Sequence, residues 1–217
     1  MKKVLIFVIL FVFAASASAQ NNSHYRSEVA LVLGLNQPLL LNGYNIELNY
    51  FTRKFVFDYS HGISLELSKM LLPENLQKQN LVAHLPYSTG FGIGYRFTQF
   101  LNLRVEPKWH RFEMYYNGEA QTTANQIIAY NTFTLGFGLY GRWIPFKSSR
   151  GFIRNFMIAP SIRYWPNLTS SLSNDYFIYN NRITGQSEKL QTLNIGVGNT
   201  PWVANISIGY RFMNSLD

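Results

Sequence analysis

Few side chains in this 217-residue chain are placed to do chemistry. There is no cysteine, which excludes thiolate metal sites, disulfide frameworks and a cysteine nucleophile. The four histidines, His24, His61, His84 and His110, never stand four apart, so none forms a helical metal pair. Ser60-His61 is the nearest approach to a nucleophile and base. Neighbours in a strand point to opposite faces, however, and that geometry cannot join them. His61 falls in an apolar column, whereas His110 follows a basic one and is expected to meet a carboxylate. No G-x-S-x-G elbow, P-loop or His-x-Ser-Asn run occurs, and Gly90, Gly92 and Gly94 read as alternate strand glycines. No metal and no cofactor is expected.

What does recur is charge in alternation with grease. Glu28, Glu47, Asp58, Glu66 and Glu106, with Arg96, Arg104, Lys108, Arg142, Arg163 and Arg211, each occupy the polar column of an alternating segment. Phe55, Phe57, Tyr59, Ile63, Leu65 and Leu67 oppose Asp58, Ser60, Gly62, Ser64 and Glu66; Leu101, Leu103, Val105 and Trp109 oppose Asn102, Arg104, Glu106 and Lys108. A period of two is that of a β-strand. Eight such segments run from Ser27 to Phe212. Their joints at 52–54, 98–100 and 147–150 are tight, and those at 70–88, 117–130 and 168–199 are long. Short turns on one rim and long loops on the other suit a membrane barrel. A ten-stranded form would also use 175–179 and 190–197.

Composition sets the environment. Hydrophobic residues make up 47% and charged residues only 14%, against about a quarter charged in soluble domains. Lys2 and Lys3, an apolar run over 4–15 and the small residues Ser16-Ala17-Ser18-Ala19 read as a signal peptide over 1–19. The mature domain is then 20–217, working outside the cytoplasm. Only Arg154 interrupts the apolar columns with charge, while the polar columns hold Gly, Ser and Arg, which suits a crowded lumen with lipid outside. An exported chain can cross lipid in β form only as a closed sheet.

The alternating apolar residues Ala204, Ile206 and Ile208, ending on Tyr210 and Phe212, complete a pattern that resembles the small eight-stranded outer-membrane barrels of the OmpA type. Met213 to Asp217 run past the terminal aromatic of that pattern. The resemblance implies a transmembrane antiparallel up-and-down β-barrel in the outer membrane of a Gram-negative bacterium. It also implies recognition of Tyr210 and Phe212 by the barrel-assembly machinery, and it carries little further functional information; no enzymatic role is expected.

The expected lumen holds nearly balanced acids and bases. Buried charges must be paired, and Glu28 with Arg211 is the pair that would close the first strand on the last. Asp58, Arg104, Arg142, Glu28 and Arg211 should share one depth. A salt-bridged plug is the favoured reading; a narrow pore for small solutes or ions and an enzyme acting on lipid A are alternatives. Pro73 and Glu74 start a short amphipathic helix in the first long loop. The net charge of +8 suits lipopolysaccharide phosphates rather than nucleic acid, with Arg111, Lys147, Arg150 and Arg182 as exposed candidates. The Tyr- and Asn-rich stretch from Tyr176 to Arg182 leaves room for an extracellular ligand.

Overall fold

The computed structural model describes residues 27–67 and 71–213; the signal peptide expected over 1–19 lies outside them. Among these residues the strands are β1 (Glu28–Gly34), β2 (Tyr44–Phe51), β3 (Phe55–Leu67), β4 (Leu81–Arg96), β5 (Leu101–Tyr116), β6 (Ile128–Gly141), β7 (Phe156–Tyr164), β8 (Asn167–Ser170), β9 (Tyr176–Asn180), β10 (Ser187–Gln191) and β11 (Trp202–Met213). Two short helices intervene, α1 (Asn36–Leu40) after β1 and α2 (Glu74–Lys78) after β3. Pro73 stands at the N-cap of α2, with Glu74 in its first turn.

Strands β1 to β6 each pair antiparallel with the next, and β11 pairs with both β7 and β1. The sheet therefore closes into an eight-stranded barrel without a free edge. The ten-stranded form does not occur. β9 and β10 pair only with each other, as a hairpin beyond the long-loop rim, and β8 extends the β6 wall there.

The alternation resolves into an apolar outer face and a charged inner one. Phe91, Ile93 and Tyr95 of β4 are half exposed, whereas Glu106, Lys108 and Arg104 of β5 are buried. On β5 the outward apolar run, Leu101 to Trp109, covers about 27 Å of strand, or about 20 Å along the axis at a tilt near 40°. Aromatic rings flank this band. Near the tight turns Phe55, Tyr95 and Phe97 pack edge to face, and Phe152 stacks on Tyr210 at 4.4 Å. Near the long loops Trp109 lies 5.1 Å from Phe133 and Tyr164 4.9 Å from Trp202.

Above that second ring of aromatics the two faces exchange character. On β5 the outward residues become Arg111 and Glu113, and the inward ones become Phe112, Met114 and Tyr116. On β3 and β4 the exchange needs an extra residue. Ser64 takes a left-handed backbone (φ 53°), and the β4–β5 register slips between His84 and Ser88. Each bulge turns the following side chains over.

Leu65 and Leu67, expected on the outside, consequently face inward with Leu81, Ala83 and Leu85. Glu66, expected in the lumen, faces outward above the band, where its Oε2 accepts from Gln121 Nε2 at 2.8 Å. The sequence pattern continues through Ser64 unbroken, and only the backbone conformation there reverses it.

Candidate functional site

The lumen is built in layers. Nearest the tight turns, Glu28 of β1 accepts from Arg142 and, at 3.3 Å, from Arg211 of β11. Arg142 also lies over the Phe51 ring, 4.6 Å from its centroid, and its Nε donates to the Gln99 carbonyl. Arg96 donates to the Thr52 carbonyl and covers the other side of this layer, 5.3 Å from the same ring. One aromatic ring thus seats two guanidinium groups.

The next layer centres on Arg104. Its Nη1 reaches Glu47 Oε1 at 2.7 Å and Asp58 Oδ2 at 3.1 Å, its Nε donates to Asn102, and its plane lies 4.0 Å from the Tyr140 centroid. The five charges expected at one depth thus divide: Glu28, Arg142 and Arg211 form one group, and Asp58 and Arg104 join Glu47 in another. Gly92 makes the second group possible, because a Cβ there would stand 2.3 Å from Asp58 Oδ2.

The third layer holds Glu106, Lys108 and Arg163. Lys108 Nζ lies 4.0 Å from Glu106 Oε1 and donates to Ser60 Oγ at 2.5 Å, while the Tyr140 hydroxyl donates to Glu106 Oε2. Trp165 roofs this layer, its ring 4.3 Å from Lys108 Nζ and 5.0 Å from the Arg163 guanidinium. Its indole occupies the space left by Gly136, where a Cβ would sit 1.5 Å from Nε1. Sequence reasoning missed Trp165, which follows the end of β7 and looks like loop. The available signal was its continuation of the inward column Ser161, Arg163, Trp165.

His110 closes the charged part of the lumen. It bonds Ser88 at 2.8 Å and Thr134 at 2.9 Å, both hydroxyls, and not the carboxylate expected from sequence. Ser60 faces the lumen and His61 the outside. With Glu66 removed, the lumen carries four acids against six bases among the described residues, an excess of cations that sequence counting understated. A cavity of about 10 Å³ remains between the first two layers, at the lower limit for one water. No cluster of metal-binding side chains occurs among the described residues.

Over this lies an apolar cap. Leu65, Leu67, Leu72, Leu76 of α2, Leu85, Phe112, Met114, Tyr130, Phe177 and Leu193 form one buried cluster, with Phe112 and Tyr130 stacked at 5.2 Å. Polar bonds fasten the loops around it. Tyr179 donates to Gln79 Oε1 at 2.7 Å, Asn117 N to the Asn80 carbonyl at 2.8 Å, and Leu193 N to the Tyr130 hydroxyl at 3.2 Å. Burial holds the Tyr179 phenol up at about 12. Arg182 pairs with Glu119 and lies 4.1 Å from the Tyr116 centroid, and Arg111 pairs with Glu113 at 3.1 Å. Lys147 and Arg150 sit on the tight-turn side, away from the long loops.

No protein-family model matches the chain, and no curated protein sequence does. Among solved structures it is similar to the N-terminal β-barrel domain of Pseudomonas aeruginosa OprF, with 16% identity and a TM-score of 0.39 over 88% of this chain and 100% of that one. It is also similar to Ail, the attachment invasion locus protein of Yersinia pestis, in complex with the heparin analogue sucrose octasulfate, with 12% identity and a TM-score of 0.40 over 87% of this chain and 100% of Ail. A second Ail structure gives 13% identity and a TM-score of 0.40 over the same shares. The closed barrel itself rests on the strand register.

Proposed function

We propose that this chain is an integral outer-membrane barrel whose lumen is sealed and whose exposed cap serves envelope structure or surface recognition. The carrying observation is the exchange of faces along β5. Apolar residues point outward up to Trp109 and charged ones from Arg111, as a strand leaving hydrocarbon for water requires. Tight turns then face the periplasm, the cap lies outside the cell, and residues 1–19 direct export. Tyr210 and Phe212, outward on the last strand, are the proposed signal read by the assembly machinery. Lipid and lipopolysaccharide are the proposed neighbours of the band and of the Arg111 level; Lys147 and Arg150 fall on the wrong side for that role.

A sealed lumen is supported by layers that each mix acids with bases, since selective pores use rings of one sign. Membrane-extracted protein is expected to migrate differently on gels before and after heating, and a fully soluble exported product would end the membrane reading. In planar bilayers the purified protein is expected to pass no steady current; discrete, sustained conductance would overturn the seal. Lipid A mass spectra from cells with and without the gene are expected to be identical, and a changed acylation pattern would restore the enzymatic alternative.

A further inference from the structure

Where the charged lumen meets the cap, a cavity of about 60 Å³ has a character that neither region accounts for. Its floor is Lys108, Arg163 and the Trp165 indole, and its walls include Leu41, Leu85 and Val203. Glu106 answers Lys108 at 4.0 Å, but Arg163 has no carboxylate within ion-pair distance among the described residues, and its Nε donates to Ser161 Oγ at 3.0 Å. The third layer taken alone therefore carries one cation more than its carboxylate, an excess that Glu47 and Asp58 of the layer below offset from beyond contact distance. Trp165 Nε1 and Gln37 Oε1 have no hydrogen-bond partner, but each packs against a wall glycine, Gly136 and Gly34, rather than opening into the cavity.

Beside the cavity the barrel wall is low. β1 ends at Gly34 opposite Ser207, so β11 rises above it from Ile206 to Trp202; β2 begins at Tyr44 opposite Ile63, so the end of β3 also stands above its neighbour. The segment containing α1 spans this notch, held by Leu35 N to the Ile206 carbonyl and Glu66 N to the Leu41 carbonyl. Its rim is apolar and exposed, with Leu39 at 75%. The notch lies at the level of Trp202 and Ile63, the upper limit of the apolar band.

We infer that the cavity takes the carboxylate head of a single-chain amphiphile such as a medium-chain fatty acid, with Lys108 and Arg163 as its ligands and the tail leaving past Leu41 and Val203 through the notch. On the measure by which about 10–15 Å³ holds one water molecule, the volume takes roughly four to six, room for a carboxylate and the first carbons of its tail. This inference rests on the membrane reading, because the tail needs lipid outside the notch.

The test uses the full mature chain, folded in zwitterionic micelles, with Trp109, Trp143 and Trp202 replaced by Phe so that Trp165 alone reports. Heat-shifted gel migration verifies each variant's fold. 2-Bromododecanoic acid, with its bromine beside the carboxylate, is expected to quench Trp165 saturably, and dodecanoate to compete where dodecanol does not. Lys108→Met and, independently, Leu41→Phe are expected to weaken binding by about tenfold or more. Leu41→Phe carries the test alone if Lys108→Met fails to fold. Quenching that does not saturate, or that ignores Leu41→Phe, overturns the inference. So does competition by acetate as strong as that by dodecanoate, which would leave a small-anion site without a tail. Loss of saturable quenching in a heat-shifting protein removes this inference and leaves the membrane reading standing, whereas loss of the heat shift removes both.

Discussion

The interior of this barrel has two halves built on opposite principles. Between the tight turns and His110 it is filled by ions and aromatic rings; above His110 it is filled by leucine, phenylalanine and tyrosine. The outer face shows the reverse order, apolar below and charged above. On the proposed membrane reading, each half places its apolar surface where water is absent: below, that is outside the wall, and above, it is within. The same strands serve both halves, and either a bulge or a switch in the sequence marks the crossing.

This contrast can be broken at four points. Arg104→Met leaves Glu47 and Asp58 buried without their cation and is expected to cost about 3–5 kcal/mol, read as a lowered denaturant midpoint for unfolding from vesicles. An unchanged midpoint would mean that the lower layers are solvated rather than sealed. Ile93→Arg, in the apolar band, is expected to cost about 2–4 kcal/mol, against about 1 or less for Asn131→Arg above it. Equal costs would erase the proposed water boundary.

Met114→Ala, in the cap, is expected to cost about 2–3 kcal/mol. It should speed proteolysis of the 117–127 and 176–191 loops in intact cells while leaving the heat shift in place. Loss of the heat shift would show that the two halves fold as one. Ser64→Gly relieves a left-handed backbone and is expected to stabilise by about 1 kcal/mol or less. A clear loss would show that the Ser64 hydroxyl, 3.2 Å from His84 Nε2, matters more than the turn.

Much of the lower half was legible in the sequence, because strict alternation over Phe55–Ile63 or Leu101–Trp109 fixes both the strand and its faces. The partners of Glu28 were legible in part: closure of the barrel brings first and last strands together and so points to Arg211, while counting from the tight turns put Arg142 at the same depth without singling it out from Asp58 and Arg104. The upper half was mostly illegible. Ser64 is an ordinary strand residue in sequence, and its left-handed backbone is set by the packing of Leu65 and Leu67 against the cap. Leu72 and Leu76 stand four apart in the first long loop, as its amphipathic helix suggested, but Leu193 comes from a separate loop and no period joins it to them. The sequence pattern around Tyr176 suggested a binding loop, and the structure also uses it to cover Phe177.

The clasp on Glu28 bears on how the cylinder is made. Arg211 stands 183 positions further along the chain, so this carboxylate acquires its second cation only when the last strand arrives. Until then a charged group lies at an open seam, in a sheet whose outermost backbone groups also want partners, and hydrocarbon tolerates neither. On the membrane reading, docking of the final strand satisfies both needs in one step, so that ring closure completes the lumen at the same moment as it removes the open edge.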